Sequence, residues 1–391
     1  MKNFDVIVIG AGAAGLMCAL RAGQRGKRVL LLEHGDKAGA KILISGGGRC
    51  NFTNREVAPD RFLSRNAHFC KSALKSYTQH DFIALVEKHK IAYHEKTLGQ
   101  LFCDNSATNI VTMLMEECGA GGVKFDLNQQ VLAVTKSDMF EVQTREAVAK
   151  APALVLATGG LSIPKMGATG FTYRIAQQFQ IPLTDIRPGL VPLVFEDKDL
   201  DFIRPLSGIS LDVAAHCGKR SFREGMVMTH RGLSGPAILQ ISSYWHEGGQ
   251  ITLDLLPDVQ IDKALIERKK GRPKAELKTI LGELLPQRLG QAIAVTHFVN
   301  EPIGNYPDRK LKEIADFVKG WRLTPTGTEG YAKAEVTLGG VDTTALSSKT
   351  MMATQVPGLF VIGEAVDVTG WLGGYNFQWA WSSGWVAGSS V

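Results

Sequence analysis

No run in this 391-residue chain approaches the ~20 consecutive apolar residues that a bilayer-spanning helix needs, so no membrane anchor is expected. Cysteine is sparse and scattered: Cys18, Cys50, Cys70, Cys103, Cys118 and Cys217 form no CxxC pair and no metal-like spacing. That pattern argues against a disulfide framework and fits a reducing cytosol. The nine histidines form no HxxxH or HExxH arrangement, so no metal site is expected either. There is no internal repeat and no recognisable RNA-binding module. At 45% hydrophobic and 21% charged residues the chain is not disordered, and its length allows two or three domains. The opening "MKNFDVIVIGAGAAGLMCALRAG" has the lysine, apolar run and small residues of a signal peptide, but no polar cleavage region follows. A cytoplasmic protein is expected.

What is present begins with those same glycines. Phe4 to Ile9 is a short apolar run that reads as a buried strand. Gly10, Gly12 and Gly15 follow at GxGxxG spacing, Leu16 to Gln24 reads as a helix, and Arg28 to Leu32 forms a second strand ending at Glu33. In this arrangement Gly10 makes the tight turn, Gly12 lets the backbone approach a pyrophosphate, and Gly15 allows close helix–strand packing. The helix N-terminus offers N–H groups and partial positive charge to phosphate, while Glu33 can accept hydrogen bonds from a ribose. A dinucleotide site is expected; these residues alone do not choose between FAD and NAD.

A second glycine-rich stretch, "GAKILISGGGRCNFTN" at 39–54, is expected to be a loop lying against a ligand. Gly46, Gly47 and Gly48 cannot pack a core, and Lys41, Ser45, Arg49, Asn51 and Asn54 surround them with polar groups. "APALVLATGG" at 151–160 is a strand ending in Ala157, Thr158 and Gly159, like the ATG turn of two-dinucleotide-type flavoproteins. "VPGLFVIGEAVDVTGWLGGYN" at 356–376 repeats the pattern with Gly363, Glu364, Gly374, Tyr375 and Asn376. A returning C-terminal segment has no purpose in a simple NAD dehydrogenase, so it favours FAD. Four of the six tryptophans lie between Trp371 and Trp385, and Phe377, Trp381 and Trp385 recur at four-residue intervals, which places them in a core stripe.

Charge is uneven. Residues 1–100 carry 16 Lys/Arg against 8 Asp/Glu, and "ERKKGRPKAELK" at 267–278 forms a second basic cluster. A solubilising surface explains both, and a polyanionic partner is allowed.

Taken together, "VIGAGAAGL", "GAKILISGGGRCNFTN", "LATGG", "MTHRGLSGPAILQIS", "TEGYAKAEVTLGGVD" and "GLFVIGEAVDVTGWLGGYNFQWAWSSG" resemble the BaiN/RdsA family of bacterial FAD-dependent oxidoreductases. The resemblance covers nearly the whole chain and is weakest over 257–322. "HEKTLGQLFCDNSA" and "WLGGYNFQWAWSS" look most like the branch of 23S rRNA dihydrouridine synthases. The resemblance implies an α/β fold: a Rossmann-like two-dinucleotide-type FAD domain over 1–187 and 328–391. A β-rich, barrel-like domain over 188–260 and a helical subdomain over 261–327 would interrupt it, in keeping with the short β-rich runs and later 3.6-type spacing. Ala13, Ala14, His34 and Val131 complete the candidate FAD set.

The resemblance implies reduction of an activated C=C bond, with uridine in 23S rRNA or a ribosomal precursor as leading substrate. A small-molecule enone reductase, an aminoacetone-type amine oxidase and a non-enzymatic RNA-binding assembly factor are the alternatives. "CGAGG" at 118–122 follows no strand, so NAD(P)H has no domain of its own and would visit as a transient donor. Hydride transfer to one carbon requires a proton for its neighbour. Cys50, beside the triple glycine, and Cys103 are candidate donors, as are Glu335 and Tyr331, which flank a strand the family brings near the flavin. His230 and Arg231 could bind a carbonyl or phosphate, or belong to a capped turn. Lys41, Arg49, Arg55, Arg61, Arg65, Lys71, Lys75 and the 268–274 cluster could hold RNA phosphates.

Overall fold

The computed structural model describes residues 2–391, and its contacts divide the chain into two units. The first comprises the chain up to Pro188 together with Glu335–Val391; the second is Gly189–Ala334.

The first unit is built on a five-stranded parallel sheet. Its order is Leu359–Val361, Ala153–Leu156, Val6–Ile9, Val29–Leu32 and Lys124–Asp126. The central strands read VIVI, VLLL and ALVL, and every one of those residues is buried. Unbroken apolar runs of this kind suit a sheet covered on both faces. The Val6–Ile9 strand feeds the Ala13–Gln24 helix, which returns along the sheet to Val29, giving the first βαβ unit.

The C-terminal helix, Tyr375–Ser390, packs against Ala13–Gln24 at unusually close range. A methyl group on Gly384 would fall 2.5 Å from the Ala14 carbonyl oxygen, and one on Gly388 the same distance from that of Cys18. The two glycines, four residues apart, let two backbones touch along one stripe. Arg25 closes the helix end by donating to the Gly388 and Val391 carbonyls. Of the expected core stripe only Trp381 is fully buried, while Phe377 and Trp385 are half-buried against the core. Trp381 stacks on Phe82 with ring centroids 4.4 Å apart, while Trp379, off the stripe, is equally buried. The helix is covered on several sides, so a single-face pattern understates its burial.

The second unit is a seven-stranded antiparallel sheet ordered Trp321–Leu323, Ile251–Asp254, Ser210–Cys217, Arg220–Met228, Gly232–Ser234, Leu193–Val194 and Gly327–Thr328. Helices Ile261–Gly271, Leu277–Leu284, Gln287–His297 and Asp308–Lys319 are inserted between the first two strands in that order. The sheet therefore reclaims Trp321–Thr328 after the helices. Gly327–Thr328 still pairs with Leu193–Val194, which puts the return to the first unit at Glu335 rather than near 328. The 267–278 basic cluster is largely neutralised: Arg268 and Arg272 share Glu283, Lys269 pairs with Asp308, and Lys278 with Glu276.

Candidate active site

Three glycines set the geometry of the first turn. Gly10 has φ +105°, a conformation that disfavours any side chain. A methyl on Gly15 would lie 1.9 Å from the Gly10 carbonyl oxygen, whereas one on Gly12 would meet nothing within 4 Å. The helix that starts at Ala13 has no side-chain cap and no acidic residue in its first turn. Its N–H groups thus face an open backbone surface of positive partial charge, and that bare end fits a pyrophosphate. Gly47 and Gly159, also left-handed with nothing within 4 Å of an added methyl, supply two further stretches of open backbone.

Glu33 ends the second strand. Its carboxylate accepts from Ala11 N at 2.8 Å and from Gly35 N at 2.9 Å, and His34 Nδ1 lies 2.8 Å away. Burial alone would raise its pKa, but the His34, Gly35 and Ala11 hydrogen bonds outweigh that and hold it below the ordinary value. His34 is raised in turn by Glu33. Val131 opens a strand two residues beyond Gln129, whose N–H donates to the Glu33 carbonyl at 2.8 Å.

The triple-glycine stretch begins as a helix. Ala40 to Ile44 are good helix formers, and regular geometry fails only at Ser45, after which Gly46, Gly47 and Gly48 are all left-handed. Phe102 forbids a side chain on Gly46, at 2.7 Å, whereas Gly47 is open. Cys50 closes the turn with φ +48° and is fully buried; Cys103 is also buried. Burial pushes the Cys50 thiol far up, with the Ser45 hydroxyl opposing, and pushes Cys103 up to about 12.

Glu364 sits in a polar clamp that sequence spacing gave no sign of. Lys41 Nζ lies 2.5 Å from its Oε2, while Ser162 Oγ and Thr337 N donate to its Oε1 at 2.8 and 3.0 Å. Lys41 also donates to Ser162 Oγ at 2.5 Å, and the Thr337 hydroxyl accepts from Leu161 N and Ser162 N. The clamp joins the triple-glycine segment, the ATG turn and the returning tail. Glu335, two residues before Thr337, is open to solvent yet crowded by protein. The crowding displaces water around the carboxyl and pushes its pKa up, and the positive charge of Lys41 partly opposes the rise.

Trp379 helps to position Gly363 of the tail. Trp379 Nε1 donates to the Gly363 carbonyl at 3.0 Å, and Ser383 Oγ accepts from Gly363 N at 3.1 Å. Gly363, at φ +69°, is therefore held from both sides by one helix. Asn376 clips the preceding turn, accepting from Gly370 N and donating to the Gly370 and Trp371 carbonyls. The Asn51 carboxamide, turned so that both its ends are satisfied, accepts from Gly374 N at 3.2 Å. Tyr375 is buried edge-on against Phe62. Trp379→Phe keeps most of the volume but removes the shorter of the two hydrogen bonds to the Gly363 carbonyl, leaving only that from Val366 N at 3.2 Å. It is expected to weaken FAD binding by about 2- to 10-fold, for one lost hydrogen bond of ~0.5–1.5 kcal/mol, measured by fluorescence titration of the apoprotein.

In the second unit, His230 and Arg231 form an exposed turn held by Thr229, whose hydroxyl accepts from Arg231 N and Gly232 N. With Arg204 and Glu196 they line a cavity of about 460 Å³. The following helix starts at Pro236 without a side-chain cap. Tyr331 is half-buried in the turn that begins at Gly330. Among the described residues no group of three or more His, Cys, Asp or Glu could hold a metal, and no helix is long and apolar enough to cross a membrane.

Residues 4–390 match the family model described as the HI0933-like protein Rossmann domain. The chain belongs to the HI0933-like family. Within that family's reach, the chain is 50% identical over 402 residues to the ribosomal RNA dihydrouridine synthase of Escherichia coli K12, covering 100% of this chain and 98% of that protein. It is 50% identical over 393 residues to the protein of the same name from Haemophilus influenzae Rd, 98% of each chain being covered. The 3-dehydro-bile acid delta(4,6)-reductase of Clostridium scindens is 28% identical over 98% of both. Among solved structures, the 3-ketosteroid-Δ4-(5α)-dehydrogenase of Rhodococcus jostii has the same fold at 14% identity. Its TM-score is 0.53, with 99% of this chain and 97% of that chain covered. This HI0933-like protein is an FAD-dependent oxidoreductase with a Rossmann-type FAD domain.

Proposed function

We propose that this protein reduces uridine to dihydrouridine in 23S ribosomal RNA, with NAD(P)H as a transient electron donor. The observation that carries this reading is 50% identity, over essentially the full length, to two proteins named ribosomal RNA dihydrouridine synthase. Held in this site, reduced FAD would supply the hydride for the 5,6 double bond. The chain supplies what surrounds that step. The bare helix N-terminus after Gly12 would hold the cofactor's pyrophosphate, and the open backbone of Gly47 and Gly159 would lie against the rest of it. The clamp on Glu364 fixes three separate segments against one another.

The neighbouring carbon takes its proton from Glu335. The residue is exposed, but the protein around its carboxyl displaces water and raises its pKa, which keeps more of it protonated near neutrality than an ordinary glutamate. Cys50 and Cys103 fit that role less well, since both thiols are enclosed and hold their protons tightly. Cys50→Ala is accordingly expected to keep turnover within about twofold, against the ~10²-fold or greater loss expected of a proton donor, in steady-state assays.

A purified-component assay tests the reading. The flavoprotein, NADPH or NADH, and 23S rRNA from cells lacking the gene should convert one or more uridines to a product two mass units heavier. Flavin that is reduced by the donor but reoxidised only by a small enone would favour the enone-reductase alternative. Flavin that no biological donor reduces would favour the assembly-factor alternative.

A further inference from the structure

We infer that Leu98 is a wedge that takes the place of the target base when a paired or stacked uridine is drawn out of the RNA; the inference rests on the RNA reading above. Strands Tyr93–Glu95 and Gln100–Cys103 form an antiparallel hairpin whose tip is Lys96–Gly99. Leu98 stands on that tip with 64% of its surface exposed. Its backbone is left-handed, at φ +59° and ψ 32°, and Gly99 follows at φ +73°. Glycine or asparagine adopts that conformation at little cost, whereas leucine brings both backbone strain and an apolar side chain in water.

The tip is nonetheless held firmly. The carboxamide of Asn54, itself 1% exposed, donates to the Leu98 carbonyl at 2.9 Å and to the Gly373 carbonyl at 3.0 Å. One buried side chain thus ties the exposed leucine to the glycine turn that opens the C-terminal helix. Arg55 N donates to the Gly99 carbonyl at 2.8 Å, and the Arg55 guanidinium reaches Glu95 while staying largely exposed. Lys96 lies 4.4 Å over the Phe102 ring. Two cationic side chains, Lys96 on the tip and Arg55 hydrogen-bonded to it and paired with Glu95, therefore accompany a single exposed apolar point.

A lone exposed leucine is too small an area for a protein interface, which needs a contiguous patch. A lone apolar side chain accompanied by cations suits the unstacking of a base. The side chain fills the space the base leaves, and the cations engage the phosphates on either side.

The test uses the FAD-loaded protein, reduced beforehand with dithionite, and 23S rRNA from cells lacking the gene. That RNA is supplied either folded in magnesium or heat-denatured and kept free of magnesium, with dihydrouridine read by mass spectrometry. Leu98→Ala is expected to slow the reaction on folded RNA about tenfold or more and to leave denatured RNA within about twofold, with Leu98→Met restoring most of the loss. A fluorescent 2-aminopurine beside a paired uridine in a model duplex should brighten with the wild type and not with Leu98→Ala. Equal loss on both RNA forms would overturn the wedge, and so would unchanged rates on both, which would leave the tip to a protein partner. Wild-type protein that makes no dihydrouridine in either form would instead remove the RNA reading, and the wedge with it.

Discussion

Gly15→Ala is expected to strip the protein of FAD and lower its melting temperature together, although alanine is the better helix former by ~1 kcal/mol. The added methyl would sit 1.9 Å from the Gly10 carbonyl oxygen, 3.1 Å from its carbon and 3.2 Å from the Ala157 side chain. An ordinary contact requires the helix and the glycine turn to part by about 1.5 Å, and overpacking in a rigid core costs ~1–3 kcal/mol or more. The same movement pulls the helix N-terminus from the phosphate position, so affinity for FAD should fall by at least about 10²-fold. Gly12→Ala is the informative control. Its φ of −80° suits alanine and its methyl meets no protein atom. The apoprotein should keep its melting temperature while FAD affinity drops, because the methyl occupies the approach to the pyrophosphate. Calorimetry of the apoproteins beside FAD titration separates the two effects.

Glu335→Gln is expected to lower turnover by about 10²- to 10⁴-fold with FAD still bound, the range lost when a positioned general acid is removed. The pH dependence carries the sign. An acid must be protonated to act, so wild-type rate should be sustained at low pH and fall as pH rises through the raised Glu335 pKa. Glu335→Gln should lose that falling limb. Lys41 favours the charged carboxylate, so removing its charge raises the Glu335 pKa further. Lys41→Met should therefore move the limb to higher pH, provided FAD occupancy is confirmed by absorbance. A limb that stays in place in both variants would assign the proton to another group.

How much of this was legible in the sequence depends on the range over which each feature is encoded. Gly10, Gly12 and Gly15 were readable because a strand, a turn and a helix meet within a dozen residues, and each glycine answers a local steric demand. The Glu364 clamp was not, since Lys41 and Ser162 stand 323 and 202 residues from it and no periodicity links them. Trp379 was missed as a support for Gly363 because a one-stripe reading assigns burial to every fourth residue, and this helix is enclosed on several sides. The stretch around Gly46 was readable as an irregular turn, but the helix leading into it from Ala40 was hidden by the three glycines that end it. Leu98 carried no signal at all. A leucine in a left-handed turn is indistinguishable from a core leucine until the backbone is known.

The central claim, that uridine in 23S rRNA is the substrate, is tested most directly in the cell. Mass spectrometry of 23S rRNA from strains with and without the gene should show a dihydrouridine that becomes uridine, two mass units lighter, on deletion. It should return when the wild-type gene is restored and stay absent with Glu335→Gln. An identical modification pattern in both strains would contradict the account and direct the search to small enones and amines.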